Sequence, residues 1–381
     1  MTPRSSRLLL VAGHDGPSAD ALDRLLAIAV RGLPQTFRGG EFVFTLRGER
    51  RSDGSWRARP VGRSLRYGAI TALGLQHLPE SAQRGVLTGE TCYDLVGRLA
   101  KRLDETTSTG DVALLCWAAA DTGHAELPRI LARLAELDRG EGSRGAPAPR
   151  YVVDAAWVVS ALVAARPHAD VEPDLARARG RLLAARSGAL YPHVIGGGPG
   201  WYRAHVGCFA DQVYPLQALA RLHASADDPE ALAVASAVAA GIVAAQGEAG
   251  QWWWHYDSRT GDVVEGYPVY SVHQHAMAPM ALLDLADAGG PHHIDAICRG
   301  VRWLSGPPET AEQMVLDDPA ITWRKVARAD PGKAVRGLRA ASTRIRPGAR
   351  LPALDRIFPP GTVDHECRPY ELGWLLLTWL S

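Results

Sequence analysis

Lysine is nearly absent from this 381-residue chain, with three residues beside 39 arginines. The skew says more about coding composition than about function, because 42 basic residues face 41 acidic ones for a net charge of +1. A near-neutral chain carries no global field for nucleic acid or a membrane. Cysteine is scarce as well. Cys92, Cys116, Cys208, Cys298 and Cys367 are odd in number and form no C-x-x-C pair, which argues against a disulfide framework and suits a reducing compartment. Two arginines precede an apolar run of six residues at 8–13, too short for a signal peptide and far too short to span a bilayer. The expectation is a cytoplasmic protein. Alternating strand-like stretches are few, and residues 41–59, with Ser-Asp-Gly between two short runs, predict the one β-hairpin.

What the chain has instead is helical periodicity. Apolar residues make up 46% of it, enough for a large core, and length alone would allow two domains. Six segments, near 63–77, 111–121, 151–165, 209–223, 270–286 and 367–380, are apolar almost all round, so they are expected to be buried on every face. Between them, near 18–32, 88–104, 125–138, 173–186, 228–246 and 291–304, lie amphipathic segments with one wet face. Six alternations of outer and inner helix predict an all-α fold, an (α/α)6 toroid formed by residues 1–381 as a single domain. Residues 182–223 and 242–285 also repeat one another, with Gly188 matching Gly250 and Gln212 matching Gln274.

The segment from Ile242 to Trp252, with Gln246, Gly250 and Trp252 in a Q-x3-G-x-W spacing, resembles the QW motif of terpenoid cyclases. In that family the Gln caps a helix and stacks on the Trp. Similar turns occur in six-hairpin glycosidases and in related sugar lyases and epimerases, so the resemblance implies the toroid more than an activity. It also implies that the loops leading into the inner helices form the active-site rim.

Those loops and helix starts are unusually polar. Candidate catalytic residues are Asp211, Glu366, Glu371, His273 and Asp154. Asp211 with Glu366 or Glu371 would make the facing carboxyl pair that glycoside hydrolysis needs, one protonated and one ionised. Lyase or epimerase chemistry would instead need a base such as His273, His275, His255 or Tyr270. Candidate substrate contacts are Arg63, Arg66, Tyr67, Tyr191, His193, Trp201, Gln212, Trp252, Trp254, His255, Tyr270, Gln274, His275, Arg368 and Tyr370. Flat aromatics suit the C–H face of a sugar ring, and polar side chains suit its hydroxyls. Acids at helix starts are equally often plain caps, so the weight lies on the set rather than on any member.

No metal or cofactor is expected. Cys208 and Cys367 start two inner helices and with a His could hold zinc, as in the toroidal lanthionine cyclases, but that family's Cys-His-Gly motif is missing. The Asp-x-Asp-Asp motif of a class II terpenoid cyclase is also missing, leaving only Asp317-Asp318. A last feature is a long insertion at 306–365. Its residues 321–356 carry ten Lys or Arg against Asp330 and Asp355, a local charge near +8. A lid, a site for an anionic group or a contact with a membrane surface would each use it, and nucleic acid would not. The combined expectation is a carbohydrate-active hydrolase, lyase or epimerase on a bacterial polysaccharide or glycoconjugate. A terpenoid-cyclase-like enzyme and a non-catalytic scaffold are the alternatives.

Overall fold

The computed structural model describes residues 4–140, 149–196 and 201–381, with Trp201 described by its backbone alone. The inner helices are Leu65–Leu75, Thr109–Asp121, Val152–Ala165, Ala210–Ala226, Ala278–Asp287 and Pro369–Leu380. A π-helical turn, His273–Met277, leads into the fifth. Each inner helix packs on the next and the sixth packs on the first, so the ring closes. Outside it stand Gly16–Thr36, Cys92–Ala100, Leu127–Arg139, Glu172–Ala184, Pro229–Ala244 and Ile294–Trp303.

The alternation follows from burial. In the second inner helix every residue from Val112 to Ala120 is buried, which is why no polar stripe is visible there. The outer helix Leu127–Arg139 buries only Leu127, Ile130, Leu134 and Asp138, a single stripe at helical spacing. Serine caps set the starts of the first two inner helices. Ser64 Oγ accepts from the Tyr67 amide and Ser108 Oγ from the Asp111 amide, each at 3.2 Å. Such a cap is worth about 1 kcal/mol, and it fixes two polar residues at one end of the ring.

The ring closes on two glycines. A Cβ on Gly74 would collide with the carbonyl of Gly373, so the first and sixth inner helices cross with their backbones in contact. The interior is filled by aromatic rings. Trp374 lies 6.0 Å from both Trp117 and Tyr214, and Tyr214 lies 5.0 Å from Trp157. The Trp374 indole N–H donates to the Tyr214 hydroxyl at 2.9 Å, which satisfies a polar atom deep in the ring. Of the described residues, no helix is long and apolar enough to cross a membrane.

The repeat in the sequence has a structural basis. The Gln212 amide accepts from the Tyr191 amide at 2.8 Å and donates to its carbonyl at 2.9 Å. One unit later, Gln274 accepts from the Trp252 amide at 3.3 Å and donates to the Tyr270 carbonyl at 3.2 Å. Both glutamines are fully buried and clamp the preceding aromatic loop onto the helix start. In the QW-like turn, Gln246 donates to the carbonyls of Gly250 and Ala296 at 3.0 and 2.9 Å, tying the turn to the next outer helix.

Two boundaries differ from expectation. The hairpin pairs Thr45–Arg50 with Trp56–Val61, while Glu41–Phe42 pairs with Phe37–Arg38 instead. The strand Glu366–Cys367 adds to the far edge of that hairpin. Residue 270, expected to begin the fifth inner helix, ends the strand Val269–Tyr270. That strand pairs with Lys325–Arg328 of the insertion, which pairs in turn with Pro360–Asp364. A neighbouring segment sets the first boundary, and a partner distant in sequence sets the second.

The insertion packs on the toroid, and part of its positive charge turns inward. Glu265 is fully buried and takes Arg328 at 3.2 Å and Arg339 at 3.1 Å, while Asp355 takes the same two arginines. The helix Ala334–Ile345 rests on the strand Val263–Glu265 and the turn Trp201–Arg203. Lys333, Arg336, Arg344, Arg346, Arg350 and Arg356 enter none of the ion pairs found among the described residues.

Candidate functional site

The polar residues gather where the inner helices begin. On one side stand three carboxylates. Asp111 accepts from Arg66 at 2.6 Å, and the Arg66 guanidinium lies 5.0 Å over the Trp157 ring. Asp211 is fully buried, accepts from the Cys208 amide at 2.6 Å and meets His193 Nδ1 at 3.1 Å. Between them Asp154, half-buried, takes part in no hydrogen bond or ion pair among the described residues. Burial raises its pKa; Arg66 opposes that rise, and the nearby charges of Asp111 and Asp211 add to it. The carboxyl sits against Gly110, where a Cβ would collide with its Oδ1. Glycine at the second position of that helix is what lets Asp154 lie there.

The other side is basic and aromatic, and the insertion builds much of it. Arg324 lies 3.4 Å from Asp364 and 3.8 Å from Glu366, with its guanidinium 5.1 Å over the Tyr270 ring. Lys325 pairs with Asp364 at 3.0 Å. Arg368 donates to the Tyr67 hydroxyl at 2.8 Å and to Glu366 at 3.1 Å, and lies 4.4 Å over Phe44. Tyr67 in turn packs 4.6 Å from Tyr370. Arg324 and Lys325 stood out in the sequence only as part of a charge run; their place at the rim depends on the strand pairing with Tyr270.

Other candidates lie deeper. Glu371 is fully buried with neither carboxylate oxygen hydrogen-bonded, and burial pushes its pKa up to about 8 against the pull of Arg324 and Arg368. Glu366 is shared among Arg368, Arg324 and Arg47. The bases named for lyase or epimerase chemistry are all in the wall. His273 stacks 4.4 Å from Phe209 and 5.9 Å from Trp254. Burial pushes both His273 and His275 down to about 3, and His255 well down, so these rings are neutral. Tyr191 and Trp252 are fully buried, Tyr270 is nearly so, and Trp254 keeps a partly open face. Arg63 is exposed and pairs with Glu41 at 3.5 Å. The Trp201 side chain lies outside the described residues. Cys367 is fully buried beside Glu371, whereas Cys208 stands with His193 and Asp211.

No family model matches this chain, and no curated protein does. Solved structures do. It is similar to an unsaturated glucuronyl hydrolase from Bacillus sp. GL1, with a TM-score of 0.60 at 15% identity over 94% of this chain and 95% of that one. An unsaturated glucuronyl hydrolase specific for heparin gives 0.56 at 12% identity over 94% and 95%. A possible GH105 family member from Klebsiella pneumoniae gives 0.57 at 13% identity over 94% and 92%. The shared property is the fold: a toroid over nearly the whole of both chains.

Proposed function

We propose that this protein is a carbohydrate-active enzyme that opens a bond at the end of an acidic glycan, with Asp154 as the proton donor. The observation that carries this reading is Asp154 itself. It is a carboxyl at the rim with no hydrogen-bond or ion-pair partner among the described residues, biased toward its protonated form by burial and by two neighbouring carboxylates. Asp111, paired with Arg66, is the second carboxyl of the set. Across the rim, Arg324, Lys325 and Arg368 outnumber Asp364 and Glu366, while Glu371 holds its proton. That balance suits a sugar carboxylate, and Tyr67, Tyr370 and Trp254 supply ring faces. The names of the similar structures, glucuronyl hydrolases, agree with a uronate.

Hydrolysis fits better than lyase or epimerase chemistry, because His273, His275 and His255 are buried in the wall and burial makes their imidazoles weak bases. It fits better than terpenoid cyclisation, because aromatic rings fill the interior where a polyene would fold. The outward cations of the insertion fit the continuation of an anionic chain, and the five cysteines, all of them free, support a cytoplasmic location. The test is turnover of short glycans ending in a saturated uronate, an unsaturated uronate or a neutral sugar. Activity on an acidic end, reduced about 100- to 10,000-fold in Asp154→Asn with the fold retained, is the expected result. Full activity in that variant, or turnover of neutral ends alone, would refute the assignment.

A further inference from the structure

His193, Cys208 and Asp211 each offer one donor atom, and these three atoms lie within 4.8 Å of one another. We propose that they form a binding site for a thiophilic divalent cation of the zinc class, with one coordination position open to the rim. The three come from different local structures. His193 lies in the loop before the fourth inner helix, Cys208 ends the strand Val206–Cys208, and Asp211 is the second residue of helix Ala210–Ala226.

Their backbones are fixed in advance. The His193 amide donates to Val206 at 3.2 Å and its carbonyl accepts from Val152 at 3.2 Å, so its backbone is fixed relative to the other two donors. The strand carrying Cys208 pairs with His255–Asp257. The Asp211 carboxylate is oriented by the Cys208 amide at 2.6 Å, the outer-shell support usual for a ligating carboxylate.

Donor chemistry narrows the ion. Thiolate, imidazole and carboxylate together suit zinc or cobalt, whereas magnesium and calcium prefer all-oxygen sets. Burial is one-sided. Asp211 is fully buried while the His193 side chain is 52% exposed, so three protein ligands would enclose the ion from within and leave its outer face to water or substrate. Without an ion the same atoms form a His193–Asp211 hydrogen bond with the thiol beside it. Cation binding would release the Cys208 thiol proton to solvent and move the His193 ring proton from Nδ1 to Nε2, leaving Asp211 with its backbone donor.

This inference does not depend on the glycan reading and is tested without turnover. Chelator-treated full-length protein is titrated with cobalt(II), then with zinc in competition. One equivalent of cobalt should bind and give a thiolate-to-cobalt charge-transfer band in the near ultraviolet. Outer-shell partners alone are worth about 10- to 100-fold in affinity, so Cys208→Ser should abolish the band and weaken zinc by about 100-fold or more. His193→Ala, at a half-exposed position that the fold can spare, should weaken zinc similarly with the circular dichroism unchanged. Absence of a charge-transfer band in the wild type, or zinc binding equal in all three proteins, would overturn the site and leave a hydrogen-bonded His–Asp pair.

Discussion

Replacing Glu371 by glutamine should make the protein more stable at neutral pH. Glu371 lies in the first turn of the sixth inner helix, has no exposed surface, and keeps neither oxygen in a hydrogen bond. Arg324 Nε is 3.9 Å from Oε1, too far for a hydrogen bond, so burial outweighs the attraction and the carboxyl is held up to about 8 against its usual 4.5. The folded chain therefore binds this proton more tightly than the unfolded chain does. Below pH 4.5 both states are protonated and no penalty exists. Stability falls as pH rises from there to about 8, and the loss is constant above it. At pH 7 the penalty is about 3 kcal/mol. Glutamine keeps the shape and the neutral state. Urea unfolding of wild type and Glu371→Gln across pH 4 to 8.5 should show equal stability at the acid end and a widening advantage for the variant above it. A variant that is less stable at pH 7, or a difference that ignores pH, would mean that Glu371 is ionised and paired with Arg324, and the reasoning would fail.

Three further outcomes follow from the geometry. Gly110→Ala should displace the Asp154 carboxyl and cut kcat on an acidic glycan by about tenfold or more while leaving KM and thermal stability near wild type; unchanged kcat would remove Asp154 from the chemistry. Gly74→Ala should overpack the crossing of the first and sixth inner helices and cost about 1–3 kcal/mol in denaturant unfolding, and an unaffected midpoint would mean that the crossing yields easily. Arg324→Met should raise KM for an acidic glycan and remove most of its salt dependence, with little change for a neutral analogue; equal losses on both would assign Arg324 to packing rather than to recognition.

The helices were legible because burial leaves a mark on composition. A helix buried on all faces, such as Thr109–Asp121, cannot afford a polar stripe, whereas an outer helix must carry one. The caps at Ser64 and Ser108 lie within three residues of the polar positions they fix, so the polarity of the helix starts could be read as well. The edges were harder to read. Tyr270 reads as the start of an apolar helix and becomes the end of the strand Val269–Tyr270 because Lys325–Arg328 pairs with it, a partner more than fifty residues away. Gln212 and Gln274 read as rim residues, yet both are spent inside the wall on the loop that precedes them. Whether a polar side chain near a helix start faces substrate or backbone depends on contacts that local spacing does not encode.

Sequence by itself determined the toroid, its repeat and the end of the ring where polar groups collect, because each rests on periodicity or on residues close along the chain. Tertiary structure alone decided which carboxyl is left without a partner among the described residues. Asp111, Asp154 and Asp211 occupy similar places in their helices. Arg66 occupies the first, His193 and a backbone amide occupy the third, and Gly110 of a neighbouring helix makes room for the second. Protonation and access follow from those neighbours, and neighbours across a ring are fixed only once it closes.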